Sequence, residues 1–205
     1  MAHRTKIGIL ALQGDFEAHR KAFVSVPNIE VTFVRTPEEL KDLDGLALPG
    51  GESTTIGKLM VRHNLLDCIR ERHVDGMAIY GTCAGLILLA KEIEESDQIR
   101  LGLMDIKVAR NAFGRQLDSF EADIPISDIG LTPVRGVFIR APYVVSVGPG
   151  VQTLAEYSGK IVAVRQGALL GTAFHPELTH DFRVHSYFVE MIRGQIDPSV
   201  LRESN

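Results

Sequence analysis

At 205 residues the chain is long enough for one sizeable α/β domain and short for two. Its make-up, 45% hydrophobic and 23% charged with a formal net charge of -4, is that of an ordinary globular protein, and its scattered Lys and Arg form no basic face for nucleic acid. The apolar runs fall far short of the ~20 residues that span a bilayer, no signal-peptide pattern opens the chain, and the cysteines, Cys68 and Cys83, stand in unlike surroundings, so a reducing cytoplasm is the expected compartment.

The first half alternates strand and helix patterns. Lys6–Leu12 reads as a strand buried on both faces, Phe16–Val24 as a helix, Glu30–Val34 as a strand and Pro37–Leu40 as a short helical turn. Gly45–Leu48 is another buried strand. The loop Pro49-Gly50-Gly51-Glu52-Ser53 follows, then helical segments from about Thr55 to His73, the first of which Ser53 or Thr54 can cap. Met77–Tyr80 is a strand leading through Gly81-Thr82-Cys83-Ala84-Gly85 into an apolar helical segment, Leu86–Ala90. Such alternation predicts parallel βαβ units, a sheet covered on both faces, and ligands at the carboxyl ends of its strands.

The second half changes character. Short strand-like runs dominate (Ile106–Ala109, Ser119–Ile124, Gly136–Arg140, Ile161–Arg165, Leu169–Phe174), separated by turns such as Gly148-Pro149-Gly150 and Ser158-Gly159. A last helix, about Phe182 to Arg193, stops at Gly194. The expected architecture is therefore α/β in three layers: a mostly parallel sheet flanked by helices, with antiparallel strands added in the second half. Residues 1–196 are expected to form a single domain, and 197–205 a flexible tail.

Cys83 carries the most chemistry. A residue in so sharp a strand-to-helix turn has strained backbone angles and projects its side chain outward, and Gly81 and Gly85 are small because strand and helix nearly touch there. A thiol at a helix N-terminus also faces unpaired N–H groups and the positive end of the dipole, an environment that favours the thiolate. Taken alone, Gly-x-Cys-x-Gly is equally a small buried cysteine between turn glycines; the flanking strand and helix favour the nucleophile. Cys68, on an amphipathic helix, reads as core packing.

A cysteine nucleophile needs a base and the base an orienting partner. His175 ends the apolar strand Leu169–Phe174, and Pro176 restrains the chain so that Glu177 can return to hold one imidazole nitrogen while the other faces the thiol. His3, His19, His63 and His73 read as solvated side chains, and His180 and His185 as the start and exposed face of the last helix. A metal site of His175, Glu177, His180 and His185 fits no helical face and is the weaker alternative. Gly50 and Gly51 leave N–H groups free at a strand end; the phosphate-loop spacing is absent, so an oxyanion hole of the Gly51 and Ala84 N–H groups is the better reading.

These motifs carry a family resemblance. Gly81–Gly85, Phe174-His175-Pro176-Glu177 and Pro49-Gly50-Gly51 resemble the class I (triad) glutamine amidotransferases. Within them the chain is similar to the glutaminase subunits of pyridoxal 5′-phosphate synthases, through Leu10-Ala11-Leu12-Gln13-Gly14, Pro49–Thr55, Gly81–Ile93, Arg110–Gln116 with Asp118–Ala122, Gly136–Pro142 and His175–Thr179. The resemblance implies Cys83 as nucleophile, His175 as acid/base and Glu177 as its orienter. It also implies an L-glutamine site of Gly50, Gly51, Glu52, Arg110, Ile139 and Arg140; Gln13, at the end of the first strand, reads by its position as a relay from the partner surface. The implied partner is a (β/α)₈-barrel synthase subunit that consumes the ammonia and makes the vitamin B6 cofactor; pyridoxal phosphate is a product of that assembly, and this chain needs no cofactor or metal.

Rival readings are a triad glutaminase serving another ammonia-using synthase, a flavodoxin-like cysteine hydrolase or chaperone, and a non-catalytic subunit that kept the fold. The RNAFGRQ block argues against the first, the His-Pro-Glu at a late strand end against the second, and the intact Cys83/His175/Glu177 set against the third.

Overall fold

The computed structural model describes residues 4–110 and 119–194. Most of the RNAFGRQ motif, with Asp118, and the expected tail 197–205 lie outside the described residues. A single large sheet organises the rest. Its parallel part takes β1 (Thr5–Leu10), β2 (Ile29–Val34), β3 (Gly45–Leu48), β4 (Ala78–Thr82) and β12 (Leu169–Thr172), in the spatial order β2-β1-β3-β4-β12. From β12 the sheet continues antiparallel through β11 (Lys160–Gln166), β9 (Tyr143–Val147) and β6 (Met104–Ala109), and closes on β5 (Ala90–Ile93), which pairs parallel with β6. β10 (Gln152–Tyr157) pairs with β11, and β7 (Ser119–Ile124) with β8 (Val134–Ile139) forms a separate antiparallel hairpin.

Burial follows position in the sheet. β3, β4 and β12 are buried at every residue, as central parallel strands must be, whereas β2 alternates exposed and covered positions at the edge. Strand β3 shows that both faces are covered. A side chain at Gly45 would meet Phe188 and Ile192 of α5 (Arg183–Ile192), while Leu48, of opposite parity, packs on Gly85 of α4 (Ala84–Leu89). Helix α1 (Phe16–Val24) packs beside α5; α2 (Ser53–Arg62) and α3 (Leu65–Val74) accompany α4. The architecture is the three-layer α/β arrangement expected from the sequence, and among the described residues no helix is long and apolar enough to cross a membrane.

Several local expectations change. The helical segments expected from about Thr55 to His73 are two, α2 and α3, separated where Asn64 adopts a left-handed conformation at φ 57°. The cap of α2 is Glu52, whose carboxylate accepts from the Thr54 N–H at 3.4 Å; Ser53 lies buried inside the first turn. The elbow helix is only Ala84–Leu89, because the chain turns at Ala90 into β5.

Candidate active site

The parallel strands β1, β3, β4 and β12 end at one edge of the sheet, and each end delivers a part of one cleft. Cys83 leaves β4 with its N–H donating to the Thr172 carbonyl of β12 at 2.8 Å, and its backbone is strained at φ 49°, ψ -100°. The two flanking glycines are needed for room: a Cβ on Gly81 would overlap Gly85, and one on Gly85 would overlap the Leu48 carbonyl. Strain and close packing together form the elbow that turns the thiol into the cleft.

His175 follows β12 and is 7% exposed. Its N–H donates to the Val137 carbonyl of β8 at 2.8 Å, so the hairpin is bridged to the strand end. That bridge brings Ile139 and Arg140, at the end of β8, to the cleft. Arg140 is itself held at φ 42°, a second strained non-glycine residue at this site. The turn after Pro176 returns Glu177 beneath the imidazole, and His175 Nδ1 lies 2.7 Å from Glu177 Oε1. With Nδ1 committed to Glu177, Nε2 is the nitrogen available to the thiol.

Electrostatics favour the imidazolium. Burial alone would lower the pKa of His175, but the neighbouring Cys83 and Glu177 raise it from 6.5 to about 10. Burial also works to raise Glu177; the adjoining His19 and the hydrogen bond with His175 outweigh it and hold the carboxyl well below the usual range.

The cleft has a volume of about 380 Å³, the scale of a small amino-acid ligand. Gln13, Gly50, Gly51, Glu52, Cys83, Arg110, Ile139, Arg140 and His175 all line it, while Ala84 follows Cys83 at the start of α4 and Glu177 lies behind the imidazole. Opposite charges face each other near the mouth: Arg110 Nη2 is 3.2 Å from Glu52 Oε1, and Arg110 Nη1 donates to Gln98 Oε1 at 2.9 Å. Gln13 Oε1 accepts from the Glu52 N–H at 2.9 Å, tying the end of β1 to the glycine loop.

The histidines depart most from expectation. His19 and His185 are wholly buried behind the cleft, not solvated; His180 is exposed, and no His, Cys, Asp or Glu group among the described residues converges as metal ligands. The signal was present in the sequence. His19 is spaced three and four residues from Phe16, Ala22 and Phe23, and His185 likewise from Phe182, Phe188 and Val189, so each lies on an apolar stripe.

Comparison with known proteins places the chain among relatives. The SNO glutamine amidotransferase family matches residues 9–194. The chain is 56% identical to the pyridoxal 5′-phosphate synthase subunit PdxT of Carboxydothermus hydrogenoformans over 187 residues, covering 91% of this chain and 97% of that protein. It is also 56% identical to the subunit of the same name from Desulforudis audaxviator, over 91% of this chain and 98% of that one. A crystal structure described as a glutamine amidotransferase superposes with a TM-score of 0.86 at 49% identity, covering 91% of this chain and 98% of its own.

Proposed function

The chain belongs to the SNO glutamine amidotransferase family, and from that premise we propose that it is the glutaminase subunit of a pyridoxal 5′-phosphate synthase, hydrolysing L-glutamine to glutamate and ammonia for its synthase partner. The observation that carries this reading is one imidazole: His175, held by Glu177 at 2.7 Å, stands beside Cys83 on its strained turn.

The Cys83 thiolate adds to the side-chain carboxamide carbon of glutamine, forming a C–S bond as the carbonyl electrons move to oxygen. The N–H groups of Gly51 and Ala84 receive that oxyanion. His175 gives its proton to the departing nitrogen, ammonia leaves, and a γ-glutamyl thioester remains. Water, losing a proton to His175, then adds to the thioester; the thiolate departs and glutamate is released. Glu177 keeps the ring aimed and stabilises its imidazolium form. Arg110 and Arg140 grip the α-carboxylate and Glu52 the α-ammonium, with Gly50 and Ile139 forming walls. Arg110 and Glu52 pair with each other across the mouth, so a zwitterion entering the cleft inserts between charges already aligned.

Residues 1–196 act as one glutaminase domain in the cytoplasm, and the partner is a (β/α)₈-barrel subunit that takes the ammonia. Gln13, bonded to the Glu52 N–H beside Gly51, is the relay between partner and oxyanion site. The test is glutamate release from the full chain with and without the barrel subunit, together with transfer of glutamine nitrogen into pyridoxal phosphate. Turnover stimulated by the partner is expected; no glutamine hydrolysis at saturating partner would sink the reading.

A further inference from the structure

We propose that His19 is a positioning residue for glutamine hydrolysis, holding Glu177 and Thr82 from helix α1 so that Glu177 can aim His175 at Cys83. This rests on the assignment of Cys83, His175 and Glu177 as the triad.

The need arises at Glu177. Its side chain has no solvent exposure; His175 holds Oε1 at 2.7 Å, while Oε2 has no hydrogen-bond partner among the described residues. A buried carboxylate with so little support is costly and free to tilt. His19 supplies the second contact. Wholly buried, it places Nε2 3.5 Å from Glu177 Oε1 and 3.0 Å from Thr82 Oγ1. Thr82 is the residue before the nucleophile, so one ring touches the support of both base and thiol.

Behind His19 stands His185, from α5, with Nε2 3.1 Å from His19 Nδ1. Proton accounting orders the chain. His185 Nδ1 is buried without a hydrogen-bond partner among the described residues. If His185 donates from Nε2 to His19 Nδ1, its own Nδ1 keeps only a lone pair; the reverse arrangement would bury an N–H with no acceptor, the more expensive outcome. His19 therefore carries its proton on Nε2, directed between Thr82 Oγ1 and Glu177 Oε1. Aromatic edges fix both rings: Tyr80 meets His19 at 6.0 Å, and Phe23 and Tyr80 meet His185 at 4.8 and 5.7 Å. Leucine at either position would pack among these rings without the burden of buried polar atoms, so the histidines are explained by what they hold.

A double-mutant cycle in the full chain, assayed with its synthase partner, tests this. His19→Ala is expected to lower kcat about tenfold with KM unchanged within about twofold, because only the aim of the base is lost. His19→Gln, whose amide N–H reaches the same oxygens, is expected to recover kcat to within about threefold. In a Glu177→Gln background, His19→Ala should cost nothing further, since the residue it acts through is already neutral. If His19→Ala does not fold, His19→Leu, which fills the space without an N–H, carries the same expectations. Iodoacetamide alkylation of Cys83, which needs no glutamine, should slow in His19→Ala and recover in His19→Gln. Slowed alkylation in a chain whose wild type hydrolyses no glutamine would leave this inference standing and sink the proposed function. Wild-type kcat in His19→Ala, an equal loss in the Glu177→Gln background, or no recovery in His19→Gln would overturn it.

Discussion

Gly50 lies against the imidazole of His175 so closely that a Cβ on Gly50 would overlap ring atom Cε1. The approach follows from the sheet: β3 and β12 flank β4, so the loop leaving β3 meets the segment that follows β12, where His175 stands. Gly50 has no positive φ, so it is glycine for space and not for backbone freedom. Gly50→Ala is expected to push the ring off Glu177 and Cys83. A displacement of the order of 1 Å costs roughly 10² in rate, and overpacking costs about 1–3 kcal/mol of stability. Glutaminase kcat and thermal unfolding measure the two effects, and a wild-type kcat would show that the ring is not needed where it stands.

Cys83→Ala should abolish glutamine hydrolysis and preserve the fold, since it deletes one sulfur; Cys68→Ala should leave turnover near wild type. The strained turn adds a finer test. At φ 49°, ψ -100° an L side chain is strained by about 1–3 kcal/mol, a cost glycine escapes. Cys83→Gly is thus expected to be inactive yet to melt above Cys83→Ala. Equal or lower melting would mean that the elbow stores no strain.

Glu177→Gln should depress kcat by about 10²–10⁴, because a neutral amide orients His175 poorly and cannot stabilise the imidazolium. Chelators should leave the rate unchanged. Loss of turnover on chelation, restored by zinc, would revive the metal reading despite the exposed position of His180.

The sequence made the parallel half and the cleft legible for one reason: strand ends in such a sheet are marked by small residues, and Gly50-Gly51, Gly81-x-Cys83-x-Gly85 and His175-Pro176 are all strand-end signatures. Where apolar residues run on without interruption the period vanishes. Leu86–Ala90 therefore read as helix throughout, although the chain changes to β5 at Ala90. Tyr143–Val147 is not among the strands expected in the second half, yet it forms one, because its pairing with β6 is set by residues some forty positions away. His19 and His185 are masked by the polar residues that follow them, Arg20-Lys21 and Ser186, but a helix places residues three and four positions off on the same face, and Phe16, Ala22 and Phe23, like Phe182, Phe188 and Val189, are aromatic or aliphatic.

Two buried histidines give the pH dependence of stability opposite signs. His175, raised to about 10, keeps in the folded state a proton that the unfolded chain releases above its ordinary 6.5. Its contribution is complete below pH 6.5 and is lost as pH rises through about 10. His185 is lowered to about 3, chiefly by burial and also by His19, against the opposing pull of Glu177. The unfolded chain takes up a proton below 6.5 that the folded chain refuses, so this residue removes stability as pH falls from 6.5 toward 3, by up to about 1.4 kcal/mol per pH unit. Glu177, lowered from 4.5, adds to the acid loss only below that value. Stability should therefore peak near pH 6.5, and the window between 6.5 and 4.5 isolates His185 from Glu177. Urea midpoints measured across that window should slope in the wild type and flatten in His185→Phe, whose ring packs against Phe23 and Tyr80 without titrating. An undiminished acid slope in that variant would place the proton uptake elsewhere.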